Sequence, residues 1–288
     1  MNWLLTLAYD GTLYSGWQIQ LDRATIQQVL QDKISDLFQF KSHLAGCSRT
    51  DAGVHALAQK VSFSPPEWPV INRQNAWKAL NSLLPPDIRI LSIDEVSEGF
   101  HARHKAVGKA YTYLLYSGKL LSPFMGNYFW PQEYSLSLEP IVRASNLLIG
   151  THDFSGFSVT TSNPEPNTIK TLQRITVKQI GSFLTISIVG NSFLYKMVRR
   201  IVGFLVKVGK GQLEPSTALQ ILSAQDRTVQ FDTAPAKGLY LEEVFYQHEE
   251  MIRFQSWQIP FLNLLGLPDI VDYSSMKFDI QKGQNFEI

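Results

Sequence analysis

Strand-period and helix-period segments follow one another along the first 100 residues in the order β-α-β-β-α-β, and that order limits the folds open to the chain. Trp3 to Tyr9 reads as a strand. Thr25 to Phe38 reads as a helix, because Ile26, Val29, Leu30, Ile34 and Leu37 recur at helical spacing. Thr25 and Gln28 make a capping box at its start. His43 to Ser48 and Ala58 to Phe63 read as two strands around a polar loop. Asn72 to Leu84 reads as a second helix, stopped by Pro85-Pro86. Ile88 to Val96 alternates as a half-buried strand does.

The same order then comes again. Lys109 to Ser117 reads as a strand with Tyr111 and Tyr113 on one face. Pro140 to Ile149 reads as a helix that Gly150 ends. Leu172 to Ile180 and Phe183 to Val189 pair as a hairpin across Gly181-Ser182. Leu194 to Val208 reads as an amphipathic helix that turns Leu194, Met197, Val198, Ile201, Val202, Leu205 and Val206 inward. Leu239 to Tyr246 closes the series as a strand. Two such units predict an α/β (α+β) fold of two ferredoxin-like halves, with a cleft between two mainly antiparallel sheets. No residue-level repeat relates the halves, so the duplication is architectural. The expected division is residues 1–100, carrying the polar loop, residues 101–247, and a C-terminal extension over 248–288. The boundary is expected between Val96 and Lys109. Gly150 to Asn167, with its Asn163-Pro164-Glu165-Pro166, reads as an excursion over the surface. The extension carries Trp257, Phe261, Leu262, Leu264, Leu265 and Leu267, too apolar for a solvated linker, and is expected to dock.

The polar loop is the densest chemical feature. Arg49-Thr50-Asp51-Ala52-Gly53-Val54-His55-Ala56 packs an arginine, a hydroxyl, a carboxylate and a glycine into five residues between apolar strands. Such loops are where a scaffold presents chemistry, although Asp and Gly are also ordinary turn formers. Two basic clusters lie elsewhere: His101, Arg103, His104, Lys105 and Lys109, and then Lys196, Arg199, Arg200, Lys207 and Lys210. The whole chain carries a net charge of only +1, but residues 249–288 hold six acidic side chains against three basic ones, which leaves the remainder at +4. Phosphate binding follows local potential rather than the sum.

The 288 residues, 44% hydrophobic and 18% charged, fall in the globular range and outside that of a disordered chain. Apolar runs are far shorter than a membrane span, and Met1 to Thr6 reads as a strand start rather than a signal peptide. One cysteine, Cys47, excludes an internal disulfide and any cysteine-rich metal site. No zinc spacing, phosphate loop or dinucleotide pattern occurs. These features predict a cytoplasmic protein with no membrane association, no cofactor and no catalytic metal.

Arg49 to Ala56 resembles the catalytic loop of the TruA family of tRNA pseudouridine synthases. Four further segments resemble that family's motifs in the same order along the chain. They are Tyr9-Asp10-Gly11-Thr12 with Gly16-Trp17-Gln18-Ile19-Gln20, and Phe100-His101-Ala102-Arg103 with Tyr111-Thr112-Tyr113. Asn191-Ser192-Phe193-Leu194 with Met197-Val198-Arg199 and Ile201-Val202-Gly203 follows, then Thr233-Ala234-Pro235-Ala236 with Gly238-Leu239 and Leu241. The resemblance runs from about Leu4 to Tyr246. Ser48 departs from it, since many members have glycine there, and the extension has no counterpart in it.

The resemblance implies isomerisation of uridine to pseudouridine in the anticodon stem-loop of tRNA, at positions 38 to 40, by a homodimer. It implies Asp51 as the nucleophile and favours Arg199 over Arg49 as the cation paired with it. Arg49 is then left to touch RNA or help flip the base. Tyr111 would supply an aromatic face for the flipped uracil. Tyr113 shares its strand parity and could replace it in that role, but the spacing after Phe100-His101-Ala102-Arg103 matches the family at Tyr111. Lys196, Arg200 and Arg103 are expected to bind the RNA backbone. His55 and His101 are expected to serve hydrogen bonding or phosphate contact rather than acid–base chemistry. Two other classes remain open to the residues alone: a non-catalytic RNA-binding protein, disfavoured because the chain lacks the aromatic strand signature of RNA-recognition sheets, and a metal-dependent nuclease built on Asp10 and Asp51.

Overall fold

The strands of both halves join in one eleven-stranded hydrogen-bonded sheet. The computed structural model describes residues 2–67, 71–159, 165–224, 229–256 and 271–272. The first half runs β1 (Asn2–Tyr9), α1 (Ile26–Phe38), β2 (Ala45–Gly46), β3 (His55–Phe63), α2 (Arg73–Leu83) and β4 (Ile88–Val96). The second runs β5 (Gly108–Tyr116), β6 (Trp130–Pro131), α3 (Leu138–Leu148), β7 (Gly150–Asp153), β8 (Ile169–Ile180), β9 (Phe183–Gly190), α4 (Met197–Gly209), α5 (Thr217–Ala224) and β10 (Leu239–Phe245). The extension begins with α6 (His248–Arg253) and includes β11 (Val271–Asp272).

Local chemistry sets the helix ends. The Gln28 N–H donates to Thr25 Oγ1 at 3.4 Å and opens α1, and the Asn75 N–H donates to Asn72 Oδ1 at 2.8 Å and opens α2. Gln39, in the left-handed region at φ 50°, ends α1.

In the first half the strands lie in the order β4-β1-β3-β2, and in the second in the order β10-β5-β9-β8, so each half has the same order by position. The halves join through β10, which pairs parallel with β3 at Tyr240↔His55 and Leu241↔Ala56. The very short β2 makes this joint possible. It covers the edge of β3 only at Val61 and Ser62, and the rest of that edge would present unpaired backbone groups. β10 takes the place β2 leaves open. The cleft expected between two separate sheets is therefore a groove on one face of a continuous hydrogen-bonded sheet.

Strand alternation divides the two faces. Leu5 and Leu7 of β1 belong to one buried apolar cluster with Ile26, Leu30 and Ile34 of α1, and Tyr113 and Leu115 of β5 belong to the same cluster with Ile141 of α3 and Ile201 of α4. The intervening residues Ala110 and Leu114 point the other way. Leu114 packs there with Phe129, Phe183 and Tyr240, and Ala110 packs with Val189, Phe245 and Met251 of α6.

Several segments differ from expectation. The second strand is shorter than His43 to Ser48, because the chain leaves the ladder after the Cys47 N–H donates to the Lys60 carbonyl at 2.8 Å. The supposed surface excursion begins as β7, antiparallel to β8, and buries Phe154 and Phe157 completely. Residues 160–164 within it lie outside the described residues, as do Trp257, Phe261, Leu262, Leu264, Leu265 and Leu267. The described part of the extension docks on the back of the second half: Met251 packs in its cluster, Arg174 donates to the Phe254 carbonyl, and β11 pairs antiparallel with β8. Among the described residues no helix is long and apolar enough to cross a membrane.

Candidate active site

The loop between β2 and β3 is fixed from one side by the β1–α1 connection. The Trp17 N–H donates to the Thr50 carbonyl at 3.0 Å, and the Gly53 N–H donates to the Tyr14 carbonyl at 3.3 Å. The Tyr9 hydroxyl pairs with Thr50 Oγ1 at 2.8 Å. Gly16 sits at φ +94°, and a Cβ there would lie 2.6 Å from the Thr50 carbonyl oxygen. Only glycine lets the two segments approach so closely. The N-terminal motif thus serves the loop as its support.

Asp51 stands at the tip of this loop, and α4 brings Arg199 to it from the other half. Arg199 Nη1 donates to Asp51 Oδ2 at 2.7 Å, and the two side chains are 14% and 19% exposed. Arg199 Nε donates to the Ala234 carbonyl at 2.7 Å, while the Ala234 N–H donates back to the Arg199 carbonyl at 3.1 Å. The guanidinium therefore has its plane set by backbone before it meets the carboxylate. Asp51 Oδ1 makes no hydrogen bond with any described residue. The Thr233-Ala234-Pro235-Ala236 motif supplies the carbonyl that orients Arg199.

Around the pair lies a cavity of about 820 Å³. It brings together Asp51, Arg199, Tyr111, Arg49, Arg103 and Lys196. Arg49 and Arg103 are exposed at its rim, and Lys196 sits over the Tyr195 ring at 4.9 Å. Arg200 is not brought there. Its guanidinium lies over the Phe231 ring at 4.4 Å and Nη2 donates to the Gly156 carbonyl at 3.5 Å. One residue along a helix is a turn of about 100°, so Arg199 and Arg200 leave α4 in different directions. Arg200 is thus directed away from the cavity that holds Asp51.

The two tyrosines of β5 separate as well. Tyr111 lines the cavity, edge-on to Phe193 with ring centroids 5.1 Å apart. Its burial pushes the hydroxyl well above the ordinary tyrosine range. Tyr113 is fully buried, and its hydroxyl donates to the Pro235 carbonyl at 2.7 Å.

His55 is a joint between the halves. Its Nδ1 accepts the Gly11 N–H at 3.1 Å, and Nε2 lies 3.1 Å from the Asn127 carbonyl and 3.2 Å from the Lys237 carbonyl. Two carbonyls at Nε2 require the proton there, which leaves Nδ1 as the acceptor of a neutral ring. Burial pushes its pKa down, against the pull of Asp10 and the carbonyls. Asp10, 3.1 Å from Nδ1, takes its hydrogen bonds from Thr12 and from the Tyr128 hydroxyl at 2.7 Å. Asp10 and Asp51 do not form a metal set: among the described residues no three His, Cys, Asp or Glu side chains converge.

Sequence reasoning placed Lys109 only in a basic cluster and missed Gln59. Lys109 lines the cavity and its Nζ donates to the Cys47 carbonyl at 3.1 Å; its parity with Tyr111 on β5 was the available signal. Gln59, fully buried, brackets Ser48: the Ser48 N–H donates to Gln59 Oε1 at 3.1 Å and Gln59 Nε2 donates to the Ser48 carbonyl at 2.6 Å. No sequence pattern marks it.

Residues 144–247 match the family model described as tRNA pseudouridine synthase. The chain is 41% identical over 245 residues to tRNA pseudouridine synthase A of Thermoanaerobacter sp. (strain X514), covering 85% of this chain and 99% of that protein. It is 39% identical over 247 residues to tRNA pseudouridine synthase A of Limosilactobacillus reuteri (strain DSM 20016), covering 84% and 95%. It is also 39% identical over 245 residues to tRNA pseudouridine synthase A of Acetivibrio thermocellus, covering 85% and 99%. Near-complete coverage of such relatives, by a chain whose motifs meet in one cavity, shows that it belongs to the TruA family of tRNA pseudouridine synthases.

Proposed function

We propose that the protein isomerises uridine in the anticodon stem-loop of tRNA, at positions 38 to 40, with Asp51 as nucleophile. The reaction breaks the bond from N1 of uracil to the ribose, turns the base, and forms a bond from C5 to the same sugar carbon. The C5 proton leaves and N1 gains one, so no redox partner is needed. The Asp51–Arg199 contact within a cavity large enough for a nucleotide carries this reading. Arg199 engages Oδ2, and Oδ1 remains open to attack the substrate.

In this reading Tyr111 forms the floor on which the uracil lies, and its hydroxyl is placed to assist loss of the C5 proton. Arg49, Arg103 and Lys196 meet phosphates at the rim. The same strand order in residues 1–100 and 101–247 supports two ferredoxin-like halves, with the substrate crossing their joint. The family resemblance supports a homodimer acting in the cytoplasm.

The test is to incubate unmodified tRNA transcripts with the protein and map pseudouridine by carbodiimide adducts that stop reverse transcription. Stops at 38 to 40 are expected. Modification confined to other positions would overturn the assignment of the site while leaving the chemistry intact.

A further inference from the structure

Tyr195 holds an aromatic ring in water at the mouth of the cavity. It lines the cavity with Phe193, Lys196 and Arg199 and is 46% exposed. Leu194 and Met197, on either side of the turn that carries it, are buried. Backbone bonds fix that turn: the Met197 N–H donates to the Leu194 carbonyl at 3.1 Å, and the Val159 N–H donates to the Tyr195 carbonyl at 3.3 Å. Lys196 takes the left-handed conformation at φ 57°, which is strained for a residue with a side chain and persists where its surroundings impose it. Its ammonium lies over the Tyr195 ring, 4.9 Å from the centroid. A ring this exposed adds little to the core, so packing does not account for its placement.

We propose that the Tyr195 ring stacks on the nucleobase next to the target uridine. The proposal rests on the cavity being the uridine site. A uridine that turns out of its stack leaves each neighbouring base short of one stacking partner. Aromatic side chains replace such partners for any base, because every base has a π-face. Three rings line the cavity, and they differ in exposure. Tyr111, the floor for the uracil, is buried, and Phe193 packs edge-on to it; Tyr195, two residues further along the chain, is the exposed one. The inner rings suit the flipped base, and the outer ring suits a base that stays outside. That base takes the face of the ring that Lys196 does not cover. Tyr195 and Lys196 then hold the RNA by a base and by a phosphate from one fixed turn, and the stack, unlike the phosphate contact, displaces no counterion.

The experiment uses the full chain and an anticodon stem-loop RNA with one target uridine. Two further RNAs are abasic at the nucleotide just before or just after it. Single-turnover rates across RNA concentration and salt give Kd and its salt slope for wild type, Tyr195→Phe, Tyr195→Ala and Lys196→Ala, and Tm is measured for each. On the intact RNA Tyr195→Ala should bind about tenfold more weakly, the effect of one lost base stack. Tyr195→Phe should stay within about twofold of wild type, and neither Tm should fall, because the ring is exposed. On one abasic RNA wild type and Tyr195→Ala should bind within about twofold of each other, because the stacking base is already gone. Tyr195→Ala should keep the wild-type salt slope, while Lys196→Ala should shallow it by about 1. Wild-type affinity of Tyr195→Ala for the intact RNA would overturn the proposal. So would an equal loss on all three RNAs, or a salt slope shallowed in Tyr195→Ala as in Lys196→Ala, either of which would make the ring a support for Lys196. Wild type that fails to modify the intact RNA would sink the reading of the cavity itself, and the stack with it.

Discussion

Asp51 and Arg199 lie 148 residues apart and meet because a backbone carbonyl aims the guanidinium. Arg199→Ala should lower the single-turnover rate about a hundredfold with RNA affinity nearly unchanged. Arg199→Lys should rescue poorly, since an ammonium cannot bond the Ala234 carbonyl and the carboxylate as a planar fork does. Good rescue by lysine, with weakened binding in the alanine variant, would make Arg199 a phosphate clamp. His55 supports a pH prediction. Burial holds its folded pKa below its ordinary 6.5, so the unfolded chain binds the extra proton first. That contribution to stability is intact above pH 6.5 and is lost as pH falls toward the folded value. The Tm should therefore drop between pH 7 and pH 5, and His55→Gln should flatten part of that drop; an unchanged slope in the variant would mean the ring is already charged in the fold. Motifs made Asp51 and Arg199 legible in the sequence. Parity alone could not separate Tyr111 from Tyr113, because what separates them is the Pro235 carbonyl over 100 residues away. The sequence alone could not send Arg199 and Arg200 to different sides, because charge in a sequence has no direction until a helix gives it one.

The position of α4 depends on the segment after Phe231. A Cβ on Gly203 would fall 1.8 Å from the Asp232 carbonyl oxygen, so the helix touches that backbone directly. Gly203→Ala should push the Asp232–Ala234 segment away and disturb the Arg199–Ala234 contacts. We expect a stability loss of about 1–3 kcal/mol by denaturant unfolding, with a rate loss larger than the bound fraction explains. A fully active, fully stable variant would show that α4 does not need this contact. Elements with a strong period were readable: α1, α2, α4 and the long strands fall close to where spacing puts them. α5 was missed because its eight residues are too short for a clear period. β2 was overestimated because apolar residues before the loop continue past the point where the ladder stops.

The whole molecule places one groove over the joint of the two halves, and only two residue pairs make that joint. No local pattern encodes so short a parallel contact, which is why two separate sheets were expected. The rim cations predict the response to salt. Replacing Arg103 and Lys196 together with alanine should shallow the dependence of log Kd on log salt by about 2, with little change in the saturating rate. An unchanged slope would route the RNA elsewhere. Asp51→Asn measures the central claim most directly, using tRNA tritiated at C5 of uridine. Wild type should release tritium, and the pure variant should release none above background, while its Tm and tRNA affinity stay near wild type. Release at the wild-type rate by Asp51→Asn would contradict the assignment of Asp51 as nucleophile.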